Sequence, residues 1–231
     1  MTHLPSFFKH GLLMILAMGL IVGCKTTETT GDFEALPETN LGTSIETPLA
    51  PVPAPGEAPA TKNQSVRVKM KTSEGTIVLE VYPDKAPITV KNFLQYVDDG
   101  YYDGTVFHRV INGFMIQGGG MEVVNNAPRP KAGTRDPIRN EASNGLKNVT
   151  GSIAMARRPH PHSATSQFFI NVANNNNLDY PSFDGFGYTV FGRVLKGQDT
   201  VDKIRLAKTS TIGGMRDVPI QPITIKSMKR D

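Results

Sequence analysis

VRVKMKTSEGTIVLEV, residues 66–81, alternates apolar and polar side chains. Val66, Val68 and Met70 interleave with Arg67, Lys69 and Lys71, and Ile77, Leu79 and Val81 resume the pattern beyond Thr72-Ser73-Glu74-Gly75. Period two is the spacing of a strand with one buried face, and a short polar interval ending in glycine is a turn. The stretch predicts an antiparallel hairpin that opens the folded body. Downstream, Val90, Phe93, Leu94 and Val97 fall at i, i+3, i+4 and i+7, which predicts an amphipathic helix ending near Gly100. A second short helix is expected over Asp199–Leu206, with Val201 and Ile204 inward. The rest reads as short strands broken by Gly, Pro and Asn, and the last, Ile223-Thr224-Ile225, should return to the sheet. Many short strands with two helices predict a mainly-β fold, a closed or nearly closed barrel that removes exposed edges.

Upstream of the hairpin the character changes. Residues 25–64 are rich in Thr, Glu, Pro and Ala, and PLAPVPAPGEAPA (48–60) alone carries five prolines. Such a stretch lacks the apolar mass for a core and favours extended polyproline conformations. As flexible coil it would span roughly 35 Å, and more where proline stiffens it. It is expected to act as a tether.

Before it, Lys9 and His10 precede an apolar run from Gly11 to Gly23. As a helix this run would be only about 20 Å long, too short for a hydrocarbon core of about 30 Å. A removable signal peptide fits that length. The run ends Ile21-Val22-Gly23-Cys24, and Cys24 is the sole cysteine of the 231-residue chain. One cysteine excludes an internal disulfide framework. The ending resembles the lipobox of bacterial lipoproteins, in which the cysteine is acylated and becomes the mature N-terminus. That resemblance implies a signal peptide at 1–23 and a lipidated N-terminus with the tether at 24–64, ahead of a folded body at 65–231. By resemblance to the sorting rule of enterobacterial lipoproteins, Lys25 in place of Asp implies the outer membrane, facing the periplasm.

Charge divides along the same lines. Residues 25–64 carry two basic and six acidic side chains, whereas 65–231 carry 22 basic and 15 acidic. No run of Lys and Arg interleaved with aromatics accompanies the basic body, so nucleic acid is not an expected partner.

Two stretches hold the candidate chemistry. FHRVINGFMIQGG (107–119) and SATSQFFI (163–170) cluster aromatic and aliphatic side chains around a few long polar ones, Arg109, Gln117 and Gln167. That is the make-up of a shallow apolar pocket with a few aimed donors.

With GSIAMAR (151–157) and GYTVFGRV (187–194), these motifs resemble the cyclophilins, a family of peptidyl-prolyl cis-trans isomerases, and NEASNGLKN (140–148) is similar to the bacterial periplasmic branch. The resemblance implies an eight-stranded antiparallel closed β-barrel capped by two α-helices. By motif, Arg109 takes the place of the catalytic arginine and Gln117 that of the glutamine that orients it. Phe114, Met115 and Phe169 match the proline pocket, Leu178 and Tyr188 complete its rim, Ala156 and Gln167 line the groove, and the backbone of Arg157 grips the peptide. The implied partners are proline-containing segments of unfolded or envelope proteins, met by a monomer tethered to the membrane through Cys24. No cofactor or metal is implied. Two departures stand out: Asn177 replaces the aromatic many members carry before the residue matching Leu178, and Asn112 replaces a usual proline. The first implies weak binding of cyclosporin-type ligands. A catalytically weak module or chaperone that holds Pro-containing segments, or a structural envelope lipoprotein, stays open as an alternative.

Overall fold

The computed structural model describes residues 65–231. The expected signal peptide, Cys24 and the expected tether lie outside the described residues.

The opening hairpin forms as its alternation requires. β1 (Val66–Thr72) pairs antiparallel with β2 (Thr76–Val81), matching Val68 to Leu79 and Met70 to Ile77. Those four side chains are fully buried, and Lys69 and Lys71 point outward. The Thr72 hydroxyl accepts the N–H groups of Glu74 and Gly75, 3.1 Å each, and so fixes the turn.

α1 (Pro87–Asp98) follows on the predicted stripe and buries Val90, Phe93, Leu94 and Val97. Pro87 suits a first-turn position, where no N–H is needed. The free N–H groups of Ile88 and Thr89 donate to the Glu141 carboxylate at 3.1 and 2.8 Å, so a remote residue caps the helix. Phe93 carries the helix into an aromatic nest of Tyr102, Phe168 and Phe191, with ring centroids 5.1–6.0 Å away.

The remaining elements are β3 (Arg109–Ile111), β4 (Met115–Gly118), β5 (Met121–Val124), β6 (Ala127–Pro130), β7 (Ser152–Met155), β8 (Phe168–Asn171), β9 (Val190–Lys196), α2 (Gln198–Arg205), β10 (Thr209–Ile212), β11 (Met215–Pro219) and β12 (Ile225–Arg230). Eight of them make one antiparallel sheet in the order β12-β1-β2-β9-β7-β8-β4-β3. β5–β6 and β10–β11 are separate hairpins. α2 buries Val201 and Ile204, as its spacing predicts.

Closure differs in detail from a full barrel. The end strands β3 and β12 do not pair with each other along their length; the sheet curls, and its seam is joined just ahead of both. There Val106 bridges Thr224, Phe107 N–H donates to the Ile223 carbonyl, and Gly104 and Thr105 bond with Ile225. The last strand accordingly begins at Ile225, two residues later than the apolar run suggests. A bulge opposite Lys71/Thr72 then places Ile225 and Met228, three apart, both inward.

Candidate active site

Strand pairing fixes the site. Arg109 on β3 lies opposite Gln117 on β4, and Gln117 lies opposite Phe169 on β8. Residues paired across strands share a face, so these three form one row. The face is the outer one. Ile116, Phe168 and Ile170 on the alternate positions belong to the barrel interior. Met115, Phe169 and Leu178 pack instead in a second apolar cluster, with Phe114, Ala156 and Tyr188 against it. Adjacent Phe168 and Phe169 thus serve different layers because successive strand residues point oppositely.

Nine of the ten residues expected from sequence line one open recess of about 120 Å³: Arg109, Phe114, Met115, Gln117, Ala156, Arg157, Phe169, Leu178 and Tyr188. Leu178 arrives on a single 3₁₀ turn, Asn176–Leu178, and is buried. Asn175 donates through Nδ2 to the Phe114 carbonyl at 2.8 Å and to Asn171 Oδ1 at 2.6 Å, which ties that turn to the β3–β4 hairpin. The tenth residue, Gln167, lies in an adjoining recess of about 120 Å³ with Arg158, Ser163 and Thr165. Gln117, Ala156 and Arg157 border both, so the two recesses make one groove.

Gln117 does not hold Arg109. Its Nε2 donates to Gln167 Oε1 at 2.9 Å. Gln167 can come that close because Gly120 has no side chain; a Cβ there would sit 2.3 Å from Gln167 Cγ. Gln167 thus takes the Gln117 amide nitrogen, while the Gln117 oxygen, the side-chain atom able to accept from a guanidinium, makes no hydrogen bond to Arg109. Among the described residues, the charged partner of the Arg109 guanidinium is Asp217, with Oδ2 3.8 Å from Nε.

Arg157 contributes more than its backbone. Its side chain is 3% exposed and donates through Nε to the Gly187 carbonyl at 3.0 Å. It pairs with Asp184 and lies 4.4 Å over the Tyr188 ring. Burial pushes the Asp184 carboxyl up, but the Arg157 guanidinium and the N–H groups of Gly187 and Phe186 outweigh it and hold it below the usual carboxylate range. Gly187 has φ +70°, and a Cβ there would lie 2.7 Å from the Tyr180 nitrogen, so glycine is required at this clasp. Sequence reading found neither Asp184 nor Asp217. Asp184 carries one local signal, the Asp-Gly-Phe-Gly turn, whereas nothing near Asp217 points toward Arg109.

His108, next to Arg109, is 2% exposed, and its Nδ1 has no hydrogen-bond partner. Burial, against a backbone contact to Val106 and with the Arg109 charge, lowers its pKa to about 4. The imidazole is neutral near pH 7 and leaves Arg109 the only charge of that pair. Asn112 closes the β3–β4 turn and accepts from Arg205 of α2 at 2.9 Å, outside the recess.

The family model described as cyclophilin type peptidyl-prolyl cis-trans isomerase/CLD matches residues 67–230. The chain belongs to this family. A peptidyl-prolyl cis-trans isomerase of Acinetobacter baylyi is 56% identical over 162 residues, which are 70% of this chain and 84% of that one. Peptidyl-prolyl cis-trans isomerase B of Escherichia coli is 52% identical over 163 residues, covering 70% and 97%. The crystal structure of a Cryptosporidium parvum cyclophilin matches with TM-score 0.59 and 27% identity over 72% of this chain and 98% of its own. The same protein, solved in the presence of the dipeptide Ala-Pro, matches with TM-score 0.58 and 28% identity, covering 71% and 98%. The described residues are therefore a cyclophilin domain, and its activity is peptidyl-prolyl isomerisation.

Proposed function

We propose that the recess beside Arg109 is where an X–Pro bond is turned, and that each lining residue has a separable part in the turn. Resonance holds the amide planar behind a barrier of about 18–20 kcal/mol. No bond is made or broken, so the protein has only to favour the twisted form over both planar ones. Each tenfold gain in rate takes about 1.4 kcal/mol of that preference.

Twisting localises the lone pair on the proline nitrogen and frees the carbonyl to swing. A guanidinium is permanently charged and carries several donors in one plane, so Arg109 can meet both atoms. Phe114, Met115, Phe169 and Leu178 would grip the proline ring and give the rotation a fixed end. They also exclude water, which strengthens the cation's field. The Gln117–Gln167 pair and the Arg157 backbone would line the path of the peptide on either side. The convergence of Arg109 with these four apolar side chains on one open recess carries the assignment. The related Cryptosporidium protein, solved in the presence of the dipeptide Ala-Pro, supports proline-containing segments as the substrate class.

The test is isomerisation of a short X–Pro peptide by the wild-type chain and by Arg109→Ala. A loss of about tenfold or more, with circular dichroism unchanged, is the expected result. Equal rates would remove Arg109 from the reaction, and rates no faster than uncatalysed exchange in both would instead favour a module or chaperone that binds proline segments without meaningful turnover. Exposed Asn177, which leaves the rim beside Leu178 without an aromatic wall, is the feature in favour of that second assignment.

In the same proposal the domain works at the cell envelope. A sole cysteine at the end of a signal-length apolar run supports acylation at Cys24 and anchoring, with 24–64 as the spacer and 65–231 as the working body. A tethered monomer on the outer membrane, facing the periplasm, would assist folding of extracytoplasmic clients, where proline isomerisation limits the rate.

A further inference from the structure

Arg109 enters the recess without donating a hydrogen bond to Gln117, so its aim has another source. β11 flanks β3, and Asp217 on β11 sets Oδ2 3.8 Å from Arg109 Nε. The backbone at Asp217 is unusual. In the β10–β11 hairpin Ser210 faces Val218 and Ile212 faces Met215, so Thr211 alone opposes Arg216 and Asp217. Two residues against one is a bulge, a device that re-aims a side chain, often beside an active site. Asp217 itself sits at φ +61°, in the left-handed region, where Asp and Asn are the non-glycine residues best tolerated. Val218 and Pro219 next to it are buried and hold the bulge in place.

We propose that Asp217 is the positioning residue for Arg109. The bulge turns its carboxylate toward the Nε edge of the guanidinium, which leaves the four Nη–H donors for the X–Pro amide. Both side chains are about 40% exposed, and an exposed ion pair adds little to stability. The pair's effect is on the preorganisation of a long side chain that would otherwise sample many rotamers. The inference rests on the role given to Arg109 above.

The experiment uses the full chain and a short X–Pro peptide. Asp217→Asn keeps a residue that tolerates the left-handed backbone and removes only the charge. It is expected to lower kcat about three- to tenfold with KM and thermal midpoint unchanged. The Arg109 Nε–H resonance should exchange faster with water in this variant. Raising salt to 1 M, where the screening length is about 3 Å, should slow the wild type toward the variant and leave the variant unaffected. Asp217→Glu should recover part of the rate. In an Arg109→Ala background, Asp217→Asn should cost nothing further. Wild-type kcat in Asp217→Asn, or an equal loss with and without Arg109, overturns the inference while leaving the arginine's role intact. Full activity in Arg109→Ala removes both.

Discussion

Arg157 is stacked on Tyr188: its guanidinium carbon lies 4.4 Å from the ring centroid, and the same group binds Asp184 and the Gly187 carbonyl. Tyr188 in turn meets Phe169 edge to face at 5.8 Å. The arginine thus clasps the 184–187 turn and braces one wall of the recess. A lysine keeps the charge but cannot stack as a plane or bind as a fork. Arg157→Lys is expected to raise KM for an X–Pro peptide about three- to tenfold and to change kcat little. Steady-state kinetics at several peptide concentrations checks the split; a fall in kcat alone would count against the wall as the element braced.

Asn177 lies exposed beside the buried Leu178. An aromatic there would rebuild the missing part of the rim. Asn177→Trp is expected to tighten a cyclosporin-type ligand about tenfold, or about 1.4 kcal/mol. The chain contains no tryptophan, so the new indole is its own fluorescent reporter. Calorimetry on the wild type gives the reference affinity. Unchanged affinity would mean that the rim is closed by other residues.

His108 links acidity to stability. Burial lowers its pKa from 6.5 to about 4, so between those values the unfolded chain binds a proton that the folded one refuses. Stability therefore rises with pH through this window, is complete above about 6.5 and declines as pH falls toward 4. The decline should amount to about 3 kcal/mol from this residue. Urea unfolding at pH 7, 5.5 and 4.5 measures it. His108→Gln should flatten the dependence, and an unchanged slope would exclude His108 as its source.

Acylation at Cys24 has its own test. The Cys24→Ser chain should leave the membrane fraction and appear among soluble envelope proteins, while peptide isomerisation by the domain stays as it was. Persistence in the membrane fraction would rule out the thiol as the anchor point.

Much of the scaffold was legible where one face of an element is buried. The stripe of Val90, Phe93, Leu94 and Val97 and the alternation across 66–81 are direct records of burial, and α1, β1 and β2 follow them. The resemblance carried by FHRVINGFMIQGG and SATSQFFI marked nine residues that meet in one recess. Less was legible where burial is slight or where contact depends on backbone detail. β10 is mostly exposed and leaves no periodic trace, so the bulge that brings Asp217 to Arg109 has no signature. β12 starts at Ile225 because Ile223 and Thr224 are drawn into the seam against Val106 and Phe107, a use that their plain alternation does not reveal. The motif makes Gln117 the arginine's partner, yet its amide nitrogen goes to Gln167, 50 residues away, whose approach depends on Gly120.

The first and last strands of the domain, β1 and β12, are neighbours in the sheet, from Val68–Arg230 to Thr72–Ile225. A chain that emerges N-terminus first from a ribosome cannot join them until β12 is free. The sheet stays incomplete for nearly the whole synthesis of the domain. Completion of the sheet is thereby deferred until β12 is available, and removal of Ile225–Arg230 should leave β1 without one of its two partners.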